Sequence, residues 1–137
     1  ERNVLNVRLN GAGDLMINSD ISDIKELRAR AKEFIKNEAD LSSLPEKHVK
    51  EIDLLGPCYI TDKHVISVQT DRSTPYNIYF EVQNELVAAY NELREELSRA
   101  KFGRSYEFLT DEQKVAIRTY YPQKISEAEP RNYGGNK

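Results

Sequence analysis

One stretch restricts the possible folds more than any other. Residues 64–103, HVISVQTDRSTPYNIYFEVQNELVAAYNELREELSRAKFG, run from a short β-type segment through a proline turn into one long amphipathic helix. Val65, Ile66 and Val68 supply the β-branched character expected of a buried central strand. Pro75 is a good first helical residue, with Ser73 or Thr74 as the expected cap. Beyond it, Tyr79, Val82, Leu86, Ala89, Tyr90, Leu93, Leu97 and Ala100 recur at three- and four-residue spacing, which is one apolar stripe. A helix of about 27 residues measures about 40 Å, longer than a small domain is wide. It must therefore bend over a sheet or protrude. Glu95 and Arg99 can pair one turn apart, Arg99 and Lys101 suit the negative end of the dipole, and Gly103 is a natural stop.

The rest of the chain predicts smaller elements. Leu5, Val7 and Leu9 alternate with Asn6 and Arg8, the pattern of a half-buried strand. The turn Asn10-Gly11-Ala12-Gly13-Asp14 leads to a second short strand from Leu15 to Ile17, giving an opening hairpin. A first helix starts at Ser22 or Asp23, with Glu26 at the capping-box spacing, and carries the stripe Ile24, Leu27, Ala31, Phe34, Ile35. Residues 40–63 show no period and read as an irregular insertion with at most a short helical turn. Thr110 and Gln113 form a capping box for a third helix, which Pro122 ends. Residues 123–127 give a last short strand through Ile125, and 131–137 a mobile tail. The order β-β-α-β-α-α-β predicts an α+β domain over residues 1–130. Its two layers are a small mixed sheet of about four to five strands and helices packed on one face.

Composition excludes several functions. With 137 residues and 39% hydrophobic content the chain suits one domain and one modest core. Its 20 Lys and Arg nearly balance 23 Asp and Glu, so no basic field favours nucleic acid. Cys58 is the single cysteine and has no internal disulfide partner. No apolar run approaches the roughly 20 residues of a membrane helix, and no signal peptide is visible. The chain starts at Glu1, without Met, almost directly on a strand. It is therefore expected to be cut from a longer protein, so the lack of an anchor in this stretch says nothing about the whole.

Candidate chemistry is sparse. Gly11-x-Gly13 lacks the third glycine of a dinucleotide loop, with Met16 in its place, and precedes a strand instead of a helix, so it reads as a hairpin turn. His48, Cys58 and His64 lack the paired spacing of zinc ligands. Cys58 with His64 matches no catalytic signature and has no orienting third group. Glu92, Glu95, Glu96, Asp111 and Glu112 read as solvated helix faces. Among eight tyrosines, Tyr79 and Tyr90 share the apolar stripe and are expected in the core. No metal, cofactor or catalytic residue is assigned, and the chain is read as non-catalytic. Strand edges remain. The first strand at the chain start is the element easiest to lend to a partner or a second copy. A proline at Asn6 or Val7 is then expected to remove that association and leave the monomer folded.

Several of these segments together resemble the periplasmic domain of the ExbD/TolR family of biopolymer-transport proteins. Val4-Leu5-Asn6-Val7-Arg8-Leu9-Asn10 with residues 11–17 resembles the family's opening hairpin, and residues 21–27 the start of its first helix. Val65-Ile66-Ser67-Val68-Gln69-Thr70-Asp71-Arg72-Ser73-Thr74-Pro75-Tyr76 resembles its strand, charged turn and Pro-Tyr helix start. Leu109-Thr110-Asp111-Glu112-Gln113-Lys114 and Lys124-Ile125-Ser126-Glu127-Ala128-Glu129-Pro130 are similar to the Bacteroidetes branch. The likeness covers most of residues 3–130; the insertion at 40–63 and the third helix are longer than in the shorter members. It implies a non-catalytic subunit of a proton-motive-force motor, anchored in the inner membrane by one helix. Such a subunit acts as a homodimer inside an ExbB/TolQ-like pentameric channel and works on a TonB-like protein or on peptidoglycan. The expected partner contacts are Leu5, Asn6, Val7, Arg8 and Leu9 on the first strand, with Asp71, Arg72, Pro75 and Tyr76 at the turn. A TolR-like envelope-maintenance subunit and a stand-alone peptide- or glycan-binding module are the alternatives. The proton-linked aspartate of the family's membrane helix has no counterpart in this chain.

Overall fold

The opening strand lies in the interior of a sheet, not at its edge. The computed structural model describes residues 1–128; the expected tail at 131–137 and the domain end at 130 lie outside them. The elements are β1 (Val4–Leu9), β2 (Leu15–Ile17), β3 (Asp20–Ser22), α1 (Ile24–Lys36), β4 (His48–Ile52) and β5 (Gly56–Ile60). They continue with β6 (Val65–Thr70), α2 (Tyr76–Phe102), α3 (Asp111–Tyr120) and β7 (Ile125–Glu127). A single 3-10 turn at Tyr106–Phe108 joins α2 to α3. The architecture is α+β: a five-stranded mixed sheet in the order β3-β2-β1-β6-β7, with helices packed against it, and a separate β4–β5 hairpin.

Period-two alternation builds the core. Leu5, Val7 and Leu9 of β1, Leu15 and Ile17 of β2, and Ile66 and Val68 of β6 all point to one side. There they meet Leu27, Ala31, Phe34 and Ile35 of α1 and Val82, Leu86, Ala89, Tyr90 and Leu93 of α2. The alternate residues Asn6, Arg8, Met16, Ser67 and Gln69 lie on the uncovered face, where they keep contact with water. Along the exposed flank of the helix pair, Arg28 grips Glu85 with both ends of its guanidinium fork, at 2.9 and 3.0 Å, and reaches Glu92 at 2.7 Å. Lys32 bridges Glu92 and Glu96 at 3.0 and 2.8 Å.

Three expectations need correction. β1 pairs antiparallel with β2 (Val7 opposite Ile17) and parallel with β6 (Val7 opposite Val68), so both of its edges are occupied. The free edges belong to β3 and β7. Parallel pairing is non-local, and alternation within β1 carries no trace of its second neighbour. Residues 40–63 are not irregular throughout: within them β4 and β5 form an antiparallel hairpin with His48 opposite Ile60. Finally, Ser73 and Thr74 do not cap α2. Its N-cap is Pro75, without a side-chain bond, because the Thr74 hydroxyl serves the turn below. By contrast Asp23 with Glu26 and Thr110 with Gln113 form complete capping boxes, and Gly103 closes α2 at φ 70°.

A directional chain of buried hydrogen bonds crosses the core. The backbone N–H of Lys124 donates to the Tyr90 hydroxyl at 3.1 Å. Tyr90 donates to Nε2 of His64 at 2.7 Å, Nδ1–H of His64 to the Thr61 carbonyl, and the Thr61 hydroxyl to the Ile35 carbonyl. His64 and Tyr90 are both wholly buried, and the neutral Nδ1–H tautomer satisfies both ring nitrogens while giving the Tyr90 O–H its acceptor.

The excess length of α2 also has an explanation. Its last turns carry the 3-10 turn and α3: Glu95 accepts from the Ser105 hydroxyl and the Tyr106 N–H, each at 3.0 Å. Arg94 donates to the Tyr121 carbonyl at 3.0 and 2.7 Å. The β4–β5 hairpin packs on α3 with its own small core of Ile52, Cys58, Ile60 and Ala116 beside Leu55 and Tyr120. The insertion and the third helix thus form one lobe.

Two predictions follow from these contacts. Val7→Pro removes a ladder donor from an interior strand, so the monomer is expected to lose at least about 3 kcal/mol or its cooperative unfolding, measured by denaturant titration. Burial lowers the pKa of His64 below its ordinary value, which in the unfolded chain is about 6.5. The unfolded chain then binds a proton that the folded one refuses. The stability from this site is complete above about pH 6.5 and is lost as pH falls toward the lower folded value. His64→Leu is expected to flatten that acid-side slope in unfolding measured across this range.

Candidate partner-contact surface

The two turns that close the C-terminal ends of β1 and β6 lie against each other, as the parallel register requires: Leu9 stands opposite Thr70. Asn10 organises the first turn through its side chain, with Oδ1 accepting from the Ala12 and Asp14 N–H groups at 3.0 and 2.9 Å. Asp71 organises the second, with Oδ1 accepting from the Ser73 N–H and hydroxyl, each at 3.0 Å. Thr74 joins them: its oxygen accepts from the Asp71 N–H at 2.9 Å, and its hydroxyl donates to the Asn10 carbonyl at 2.9 Å. Gly11 permits this approach, because a Cβ there would stand 2.2 Å from the Ser73 hydroxyl oxygen. Gly13, at φ 86°, faces Ile78 and Pro75.

Above this corner a groove of ≈ 320 Å³ opens between the end of β6, β7 and the first turns of α2. Asp71, Arg72 and Tyr76 line it together with Thr70, Tyr79 and Glu127. Asp71 is buried, whereas Arg72 is exposed and Tyr76 is 73% exposed. Tyr76 stacks on Phe80 at 6.1 Å between ring centres, so α2 presents two aromatic faces to solvent beside a polar cleft. Tyr79 donates to Glu127 at 2.5 Å and accepts from the Gln83 amide at 3.0 Å, and that amide also bonds Glu127. Burial, then the bond to Glu127, pushes the Tyr79 hydroxyl up to about 12. Tyr79 is thus the half-buried wall of a polar site, while Tyr90 is core.

The predicted contact residues divide into two groups. Asp71, Arg72 and Tyr76 meet at the groove, with Pro75 packed below them against the Gly13 turn. Leu5, Val7 and Leu9 are buried core residues and unavailable to a partner. The Asn6 N–H is bonded to the Asn18 side chain at 2.9 Å, and Arg8 lies exposed on the open face of the sheet. Tyr79, expected in the core, is instead half-buried at the site, and Gln83 and Glu127 join it without having been singled out. Glu127 follows Ile125 at period two and so shares its face; that alternation was a usable signal for Glu127.

The other candidates stand apart from each other. Cys58 is buried, bonds the Gly56 carbonyl at 3.5 Å, and has its thiol pushed up by burial, the reverse of an activated nucleophile. His48 pairs with Asp62, and His64 is held inside the core. Among the described residues no group of three or more His, Cys, Asp or Glu side chains could hold a metal ion. No described helix is long and apolar enough to cross a membrane. No family model, curated protein or solved structure matches the chain.

Gly11→Ala tests the contact between the turns. The new methyl displaces the Ser73 hydroxyl from Asp71, at an expected cost of about 1 kcal/mol. Amide resonances of Asp71, Arg72 and Ser73 are expected to shift; an unchanged spectrum at these three residues would refute the coupling.

Proposed function

We propose that this chain is the periplasmic domain of an ExbD-like subunit of an inner-membrane, proton-motive-force motor. It transmits energy to, or controls engagement of, a TonB-like system for outer-membrane transport through protein contacts, without catalysis. The observation that carries this reading is the joined corner. The two segments bearing the family resemblance, the opening hairpin and the strand–turn–Pro75–Tyr76 unit, pack on one another through Thr74, Gly11 and Gly13. That packing supports the turn and leaves Arg72 and Tyr76 exposed for a partner. In this reading the full-length protein is anchored by one helix, pairs with a second copy and sits in an ExbB/TolQ-like channel. With β1 enclosed, partner contact falls to the groove and to the free edges of β3 and β7.

The exposed Tyr76–Phe80 pair favours a second reading, a TolR-like or stand-alone module that binds peptidoglycan glycan or peptide, since stacked aromatic faces suit sugar rings and extended chains.

Residues preceding Glu1 in the full-length protein test the first reading directly. A roughly 20-residue apolar segment containing one aspartate is expected; a soluble enzyme domain there overturns it. Within the chain, Arg72→Ala and Tyr76→Ala are expected to leave the melting temperature unchanged and reduce TonB-dependent uptake about tenfold or more. Tight muropeptide binding by the isolated domain, abolished by Tyr76→Ala with uptake intact, selects the second reading instead.

A further inference from the structure

A second concave surface lies in the added lobe, where the tip of the β4–β5 hairpin meets α3. Ile52 and Ala116, 3% and 2% exposed, floor a groove of ≈ 600 Å³. Leu54 and Val115 stand on its walls, 61% and 52% exposed. Leu54 has φ 72°, a left-handed conformation that strains a branched side chain and that glycine or asparagine would occupy more easily. The hairpin therefore holds an apolar side chain in water at some conformational cost.

The charge at this groove is of one sign. Its charged lining residues are Glu51, Asp53 and Glu112. None of the three makes an ion pair among the described residues. The groove between α1 and α2 differs, because there Arg28 and Lys32 already neutralise Glu85 and Glu92. At the hairpin–α3 groove the three carboxylates are exposed and carry no such counter-charge among the lining residues. Carboxylates around an apolar floor repel anionic lipid and nucleic-acid phosphate, and favour a cationic polypeptide.

We propose that this groove docks a basic amphipathic segment of a partner protein. An apolar side chain of that segment seats between Leu54 and Val115 above Ile52 and Ala116. Flanking Lys or Arg side chains reach Glu51, Asp53 and Glu112. The apolar floor supplies the anchor, and the carboxylates set the orientation and reject acidic competitors. This surface is separate from the Asp71–Tyr76 corner and does not depend on the motor reading.

The test titrates the isotope-labelled chain with a short Leu–Lys amphipathic peptide, and with its Leu–Glu counterpart as control. Amide shifts are expected to concentrate at Asp53, Leu54, Val115, Ala116 and Thr119 with the Leu–Lys peptide only. The combined Glu51→Gln, Asp53→Asn, Glu112→Gln protein is expected to bind at least about tenfold more weakly. Leu54→Asn, which suits the left-handed turn and so keeps the fold, should weaken binding to a similar degree. Absence of binding, shifts centred on another surface, or an unchanged dissociation constant in the triple variant would each overturn the proposal.

Discussion

The parallel pairing of β1 with β6 is the constraint on which the rest of the structure depends. All six residues of β1 are in register with β6, from Val4 opposite Val65 to Leu9 opposite Thr70. A parallel pair needs a crossover, and here it contains α1 and the β4–β5 hairpin. α1 and α2 therefore cover the same face of the sheet, while the opposite face stays open to water. The same register brings the turns after Leu9 and Thr70 to one end, where Thr74 ties them and the Asp71–Tyr76 groove forms. A shift by one residue would turn Leu5, Val7 and Leu9 toward water, so burial enforces the register as strongly as the backbone bonds do.

The buried chain through Tyr90, His64 and Thr61 ties four parts of the fold across this core. It links the start of β7, the middle of α2, the loop before β6 and the end of α1. Each member both accepts and donates, and removing any one leaves a buried polar atom unsatisfied, which costs about 1–3 kcal/mol. The core accordingly needs a neutral histidine, and acid acts on it through the unfolded state.

The added lobe shows how a longer chain extends a small sheet without enlarging its main core. α2 outruns the sheet, and its last turns hold the 3-10 turn and α3 through Glu95, Arg94 and Ser98. The hairpin then closes against α3 over Ile52, Ile60 and Ala116. Neither added piece has enough apolar surface to be stable alone, and each supplies the other's cover. The groove at their junction is therefore a property of the pair.

Local patterning determined the helices, their capping boxes at Asp23 and Thr110, the stop at Gly103, the strands around Leu5 and Ile66 and the α+β class, because periodicity and caps act within a few residues. The family resemblance, and not periodicity, pointed to Asp71, Arg72, Pro75 and Tyr76. Only the tertiary structure placed β1 inside the sheet, because a parallel neighbour some sixty positions away leaves no mark on β1's own alternation. Only packing turned residues 40–63 into a hairpin, whose inward side chains Ile52, Cys58 and Ile60 find their cover on a helix far along the chain. The Tyr79–Glu127–Gln83 cluster and the hairpin–α3 groove likewise join residues whose proximity is created by long-range pairing and burial.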